Sequence, residues 1–320
     1  MNGSKRCNLA YTIKKAVITG ATGAIGMALI GELVSRGIEV TVFMRGDSAR
    51  NDRIPNSALV KKVECALDGL KTYEVAEGEQ YDAFFHFAWA GTTGDARNDM
   101  FLQNKNVEYT LDAVALAEKM GCHTFVGAGS QAEYGRVEGA LSATTPAFPE
   151  NGYGMAKLCA GQMSRVMCEK KGIRHLWARI LSVYGPYDGV NSLVMSTIRK
   201  VAAGEKPSCT AGEQVWDYLY SGDAAKAFVA MVERGKDGQI YCLGGGKTRM
   251  LREYIEGIRD AIDPNAPLGI GDLPYPPKQV MYLCADITDL VNDTGYTPET
   301  SFEDGIRQTV EWYLNTQTKA

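Results

Sequence analysis

Histidine is scarce in this 320-residue chain, and its cysteines show no pairing pattern. The three histidines (His86, His123, His175) lack ligand spacing. The eight cysteines (Cys7, Cys65, Cys122, Cys159, Cys168, Cys209, Cys242, Cys284) include no CxxC pair. That argues against a structural zinc and a disulfide framework; free thiols in a reducing cytoplasm are the expectation. No apolar run approaches the roughly 18 residues that span a bilayer. The first fifteen residues are basic but lack the apolar segment of a secretion signal, and they read as a short, frayed extension. A net charge of −4 gives no electrostatic reason to expect nucleic acid or an anionic membrane as partner. Repeats and low-complexity tracts are absent. What remains is ordinary globular composition, 45% hydrophobic and 22% charged, long enough for two domains sharing a large core.

The stretch that organises the chain is KAVITGATGAIGMALIGELVS, residues 15–35. Ala16, Val17 and Ile18 form a short apolar run that reads as a buried strand. Gly20, Gly23 and Gly26 follow at three-residue spacing, and from Ala24 on Ile25, Leu29 and Leu33 fall at helical spacing. Strand, glycine turn and helix make the context of a dinucleotide-binding turn. Glycines let the backbone bend tightly and let a phosphate approach. The helix start offers unpaired N–H groups and a positive dipole end.

Further strands are expected at 39–44, 60–67, 82–88, 123–128, 174–184, 216–221 and 239–243, with helices at 104–120, 152–170, 192–203, 223–233 and 251–262. The alternation predicts an α/β fold, a doubly wound parallel sheet with helices on both faces. Gly244-Gly245-Gly246 reads as a loop, and 263–277 as irregular. Thr300 and Glu303 fit a capping box for the last helix. The end of the second strand normally lies near the adenosine ribose. Met44 and Arg45 stand there, with Arg50 and Arg53 behind, rather than a carboxylate. Guanidinium pairs well with phosphate, which favours NADP over NAD; the alternative is solvated surface arginines.

Tyr153 and Lys157 are four apart on an expected helix and share one face. A tyrosine is a poor acid–base near neutrality unless a cation lowers its pKa, a task for Lys157, which could also hold the nicotinamide ribose. Ser130 lies just beyond the carboxyl end of a parallel strand, where such sheets place ligands. The order glycine turn, Ser130, Tyr153, Lys157 reads as a hydride-transfer site in which Tyr153 passes the proton.

With TGATGAIG (19–26), HFAWAG (86–91), GSQAEYG (129–135), YGMAK (153–157), RILSVYGP (179–186) and WDYLYSGDAAKAF (216–228), the chain resembles the extended short-chain dehydrogenase/reductases. The nearest group is the NAD-dependent epimerase/dehydratase family acting on nucleotide sugars. The resemblance runs from about Ala16 to Tyr313. It implies a Rossmann domain over 1–186, with 216–245 returning to it, and a smaller C-terminal α/β substrate domain from 187–215 and 246–320. It implies Ser130, Tyr153 and Lys157 as catalytic residues, supported by Asn106. It also implies NAD or NADP contacts from Gly20, Gly23, Ala24, Ile25, Gly26, Arg45, Leu67, Phe87, Ala88, Trp89, Asn106, Ser130, Tyr153, Lys157 and Leu181. Residues 104–120 and 153–170 correspond to the helices that form a homodimer contact in the family.

The departures bear on the reaction. Nucleotide-sugar 4,6-dehydratases carry Asp-Glu after the catalytic serine or threonine. Here those positions hold Gln131 and Ala132, which cannot act as acid and base. Trp216 stands where many relatives place a pyrophosphate-clamping arginine; it either stacks on the base or packs in the core. Ala66 replaces an adenine-binding aspartate, with Asp68 as a possible substitute. The GSQAEYG segment resembles 4-ketosugar reductases making CDP- or dTDP-linked 6-deoxyhexoses. The expected reaction is therefore NAD(P)H-dependent reduction of a nucleotide-linked 4-keto-6-deoxy sugar, with an NAD-dependent 4-epimerase as the alternative.

Overall fold

The computed structural model describes residues 11–317. Cys7 and most of the N-terminal extension lie outside the described residues. The part of the extension that is described is docked rather than frayed. Tyr11 donates its N–H to the Glu233 carbonyl at 2.8 Å, and its ring sits 3.8 Å from the Arg174 guanidinium.

In chain order the elements are β1 (Lys15–Thr19), α1 (Ala24–Ser35), β2 (Glu39–Met44), β3 (Val60–Glu64), β4 (Ala83–His86), α2 (Met100–Lys119), β5 (Thr124–Ser130), α3 (Gly152–Lys171) and β6 (Arg174–Ile180). Then come β7 (Ser182–Tyr184), α4 (Leu193–Ala202), β8 (Ser208–Cys209), β9 (Val215–Trp216), β10 (Tyr218–Tyr220), α5 (Ser221–Arg234) and β11 (Ile240–Leu243). The last are β12 (Arg249–Met250), α6 (Leu251–Asp260), β13 (Gly269–Ile270), α7 (Thr288–Thr294) and α8 (Phe302–Gln317). Seven strands form one parallel sheet in the order β11-β6-β5-β4-β1-β2-β3.

Strand residues alternate between the two faces. Ala16, Ile18, Val40 and Phe85 pack with Leu29 and Leu33 of α1 and Phe228 of α5. Val17, Phe43, Phe84 and Phe125 pack on the other face with Val114 and Ala117 of α2. Burial on both faces explains the continuous apolar runs in sequence. A third cluster, including Ile198, Ile255, Ile258, Phe302 and Ile306, joins α4, α6 and α8 beside the sheet.

Long-range hydrogen bonds revise several sequence-based boundaries. The 174–184 run breaks at Leu181, whose N–H bonds the Leu243 carbonyl at 2.9 Å, and β7 leaves the sheet to pair with β10. The 216–221 run breaks at Asp217. Its buried carboxylate gathers the N–H groups of Gly245 (2.6 Å), Gly246 (3.0 Å) and Ala285 (2.9 Å). The triple glycine is thus a loop wrapped on a carboxylate, and a Cβ at Gly244 would lie 2.8 Å from Asp217 Oδ2. The final helix is capped one residue later than expected, by Ser301, which accepts the Asp304 N–H at 3.1 Å. Thr300 instead gives its N–H to Asp223, and Glu303 pairs with Arg249. β3 stops at Glu64, and α7 carried no signal that its short length could express.

Trp177 of β6 is driven into a pocket of missing side chains. A Cβ at Gly127 would lie 2.2 Å from its ring, one at Gly129 2.3 Å, and one at Gly161 of α3 2.7 Å. The small residues let α3 settle against β5, which sets the distance between their functional groups. Gly127→Ala should lower the unfolding free energy by about 1–3 kcal/mol in urea titrations, because overpacking strains the wedge. Gly31→Ala, with nothing within 4 Å of the added carbon, should be neutral or stabilising. Equal effects would contradict the wedge.

Candidate active site

The glycine turn behaves as its residues require. Gly20 has φ +74°, and a Cβ there would meet Ala88 N at 2.4 Å, so only glycine lets β1 and the chain after β4 approach. Gly23 is the N-cap of α1 with no side-chain cap. A Cβ on it would meet nothing within 4 Å. The first N–H groups of α1 therefore face open space that a phosphate fits.

From that turn a cleft of about 310 Å³ runs across the carboxyl ends of the strands. Of the expected residues, Gly20, Gly23, Ala24, Ile25, Gly26, Phe87, Trp89, Ser130, Tyr153, Lys157 and Leu181 line it. Four lie elsewhere. Arg45 is exposed at the end of β2, and Leu67 packs under the sheet. Ala88 lies against Gly20. Asn106 is buried, with its amide spent on the loop above it: Oδ1 accepts the Ala90 N–H at 2.8 Å, and Nδ2 donates to the Ala90 carbonyl at 2.9 Å. It holds the loop at Ala90 and is not among the residues that line the cleft. Trp216 is fixed by a bond from Nε1 to Ser182 Oγ at 2.8 Å and packs between two apolar clusters.

Ser130 is the last residue of β5 and begins a turn with Gln131–Glu133. Its hydroxyl accepts the Ala132 N–H at 3.2 Å and lines the cleft together with Tyr153. Tyr153 and Lys157 come from the first turns of α3, whose N-cap Asn151 accepts the Gly154 N–H at 2.9 Å. Lys157 is 4% exposed. Its ammonium donates to the Ala128 carbonyl at 2.7 Å and lies 3.7 Å from the centre of the Trp89 ring. Burial pushes it down to about 7, and Glu133 opposes that shift. Burial pushes the Tyr153 phenol up; the neighbouring Ser130 hydroxyl and the Arg97 guanidinium pull it back. Arg97 lies 4.2 Å from the centre of the tyrosine ring. The expected lowering of the phenol by Lys157 is not seen, because the ammonium is turned toward Ala128 and Trp89.

His86, under the cleft, is bonded to Thr19 at 2.9 Å and held neutral: burial, then Lys157, lower it to about 3. Sequence reasoning passed over Asp188, whose carboxyl lines the cleft and is raised by burial. It also passed over Glu133. The S-x-x-E capping pattern of Ser130–Glu133 was the available signal. Gln131 and Ala132 bring no ionisable group, so no carboxylate of this turn faces the cleft: Glu133 points away, into an ion pair with Arg179.

Residues 16–244 match the model of the NAD dependent epimerase/dehydratase family. The chain is 28% identical to a dTDP-glucose 4,6-dehydratase from Xanthomonas campestris, over 94% of this chain and 93% of that protein. Among solved structures it is similar to a UDP-N-acetylglucosamine 4-epimerase from Methanobrevibacter ruminantium, with TM-score 0.85 and 21% identity, covering 95% of this chain and 99% of the other. It is also similar to RMD from Pseudomonas aeruginosa complexed with NADPH, with TM-score 0.79, 21% identity and coverage of 95% and 99%. At these identities the structural likeness speaks to fold.

The buried ammonium makes a stability prediction. Its folded pKa is depressed from 10.5 to about 7, so between those values the unfolded chain binds the extra proton and stability climbs with pH. Lys157→Met should lack that climb. The wild-type-minus-variant difference in urea unfolding should grow by about 2 kcal/mol from roughly pH 6 to 9. A difference independent of pH would contradict the burial argument.

Proposed function

The chain belongs to the NAD-dependent epimerase/dehydratase family, extended short-chain dehydrogenase/reductases that act on nucleotide sugars, and on that premise we propose that it is an NAD(P)H-dependent reductase of a CDP- or dTDP-linked 4-keto-6-deoxyhexose. The observation that carries this reading is the Ser130–Glu133 turn. It presents the Ser130 hydroxyl to the cleft, while its one carboxylate is bound to Arg179 and Trp177. Proton transfer at a sugar oxygen is served; acid–base elimination at carbon is not.

The open N-terminus of α1 fits the pyrophosphate of a nicotinamide coenzyme, and the Ala128–Ser130 end of β5 fits its ring. When bound, the coenzyme supplies the two electrons and the hydrogen that reduce the sugar ketone. Ser130 Oγ orients the ketone oxygen, and the Tyr153 phenol delivers the proton to it. The Lys157 ammonium binds the nicotinamide ribose, and the Arg97 guanidinium beside the ring favours the phenolate that remains. NADPH is the favoured coenzyme. Arg45 and Arg50 are exposed, and Arg53, which donates to the Thr22 carbonyl at 3.1 Å, is lowered by burial and by Arg50 beside it, a crowding that a 2′-phosphate would relieve. In this reading 1–186 and 216–245 hold the coenzyme, and 187–215 with 246–320 hold the nucleotide sugar.

A homodimer and a cytoplasmic setting belong to the same proposal. On α3, Met155, Cys159, Met163 and Val166 are exposed at helical spacing, a stripe suited to a second copy. The described cysteines are free thiols.

Purified protein should oxidise NADPH in the presence of dTDP-4-dehydro-6-deoxyglucose or its CDP analogue. Tyr153→Phe should lower kcat by roughly 100- to 10,000-fold with coenzyme binding retained. Tightly bound NAD, and turnover of a 4-hydroxy sugar nucleotide without added coenzyme, would establish the epimerase instead. Light scattering should give twice the 34.8 kDa chain mass, and Met163→Asp should shift it toward the monomer; a monomeric wild type contradicts the dimer.

A further inference from the structure

Glu133 sits behind the reacting groups and has no opening to the cleft, being 1% exposed. Oε1 accepts the Ser130 N–H at 2.8 Å and the Trp177 indole N–H at 3.0 Å. Oε2 accepts from Arg179 Nε at 2.7 Å. Arg179 is itself 3% exposed and lies 4.4 Å from the centre of the Tyr134 ring. A buried pair of this kind is costly to assemble and contributes little net stability by itself. Ser130 and Trp177 would be equally satisfied by a neutral carbonyl such as glutamine offers. The charge therefore calls for a separate reason.

The reason lies with Lys157. Lys157 faces the Ala128 carbonyl of β5, the Trp89 ring after β4, His86 of β4 and Tyr153 of its own helix. His86 is neutral. Arg97, the charge beside Tyr153, is a cation. Glu133 is the group that acts to keep the proton on Lys157 against burial.

We propose that Glu133 is a positioning residue for the catalytic groups: its carboxylate fixes the turn that aims Ser130 and supplies the buried negative charge against which the Lys157 ammonium is held. The inference rests on the reading of Ser130, Tyr153 and Lys157 as the reacting set and is independent of which sugar is reduced. Arg179 tempers the charge, so that the site is not left with an unpaired anion.

The test is NADPH binding by the full chain, followed by coenzyme fluorescence from about pH 5.5 to 9. The coenzyme's own titration is common to every protein compared. Wild-type affinity should fall as pH rises through about 7, where Lys157 loses its proton. Glu133→Gln keeps the shape and the acceptor for Ser130 and should move that midpoint down by about half a unit or more. Weakening by the same factor at every pH, with the midpoint unmoved, would show a merely structural carboxylate and overturn the proposal. Arg179→Gln leaves Glu133 less neutralised and should move the midpoint up, which keeps the test decisive if Glu133→Gln does not fold; no upward shift overturns it too. A wild type that binds neither NADPH nor NADH at any pH refutes the coenzyme reading and this inference with it, whereas binding without sugar turnover refutes only the substrate assignment.

Discussion

A lysine ammonium almost without water is the constraint on which this site depends. Lys157 keeps one carbonyl partner, Ala128, and one aromatic face, Trp89. Both come from chain just past or at the ends of parallel strands, so the charge can be held only if α3 packs close against β5 and the loop after β4 is fixed. The approach of α3 is bought with glycine: a Cβ at Gly154 would lie 2.2 Å from the Ala132 carbonyl oxygen. The loop is fixed by Asn106, whose amide closes on both backbone groups of Ala90. The same packing that desolvates Lys157 also brings Ser130 and Tyr153 onto one cleft.

The sheet explains why these groups meet at all. In a parallel sheet every strand ends on the same side, and β1, β4 and β5 lie side by side. The glycine turn, the Trp89 loop and Ser130 therefore open onto one edge, although they are spread along more than a hundred residues of chain. β6 then brings Trp177 and Arg179 beneath the turn, where they organise Glu133. Function at this edge depends on local backbone conformation at Gly20 and on space at Gly127, Gly129 and Gly161. These are two different uses of the same residue type.

Much of this was legible in the chain because it is written locally. β2 reads as a strand from its own side chains. α3 carries its N-cap, its face of small residues and its terminating Gly172, which has φ +70°. The glycine turn announces itself by spacing. The features that escaped depend on partners distant in sequence. Leu181 and Asp217 interrupt apparent strands because of hydrogen bonds to Leu243 and to 245–285. Glu133 looks like any loop carboxylate until Trp177 and Arg179, 44 and 46 residues away, close on it. Asn106 carries no local sign that its amide would close on Ala90, 16 residues away. Trp216, left open between stacking and packing, is fixed by Ser182.

The central claim is that this edge of the sheet carries out one reduction of a sugar ketone with Tyr153 as proton donor. The most direct measurement uses NADPH deuterated at the transferable position of nicotinamide C4, with dTDP-4-dehydro-6-deoxyglucose as acceptor and proton NMR of the product. The account predicts stoichiometric deuterium on C4 of the sugar and a matching amount of oxidised coenzyme. A product whose C4 is free of deuterium, or one formed without oxidation of the added coenzyme, would contradict it.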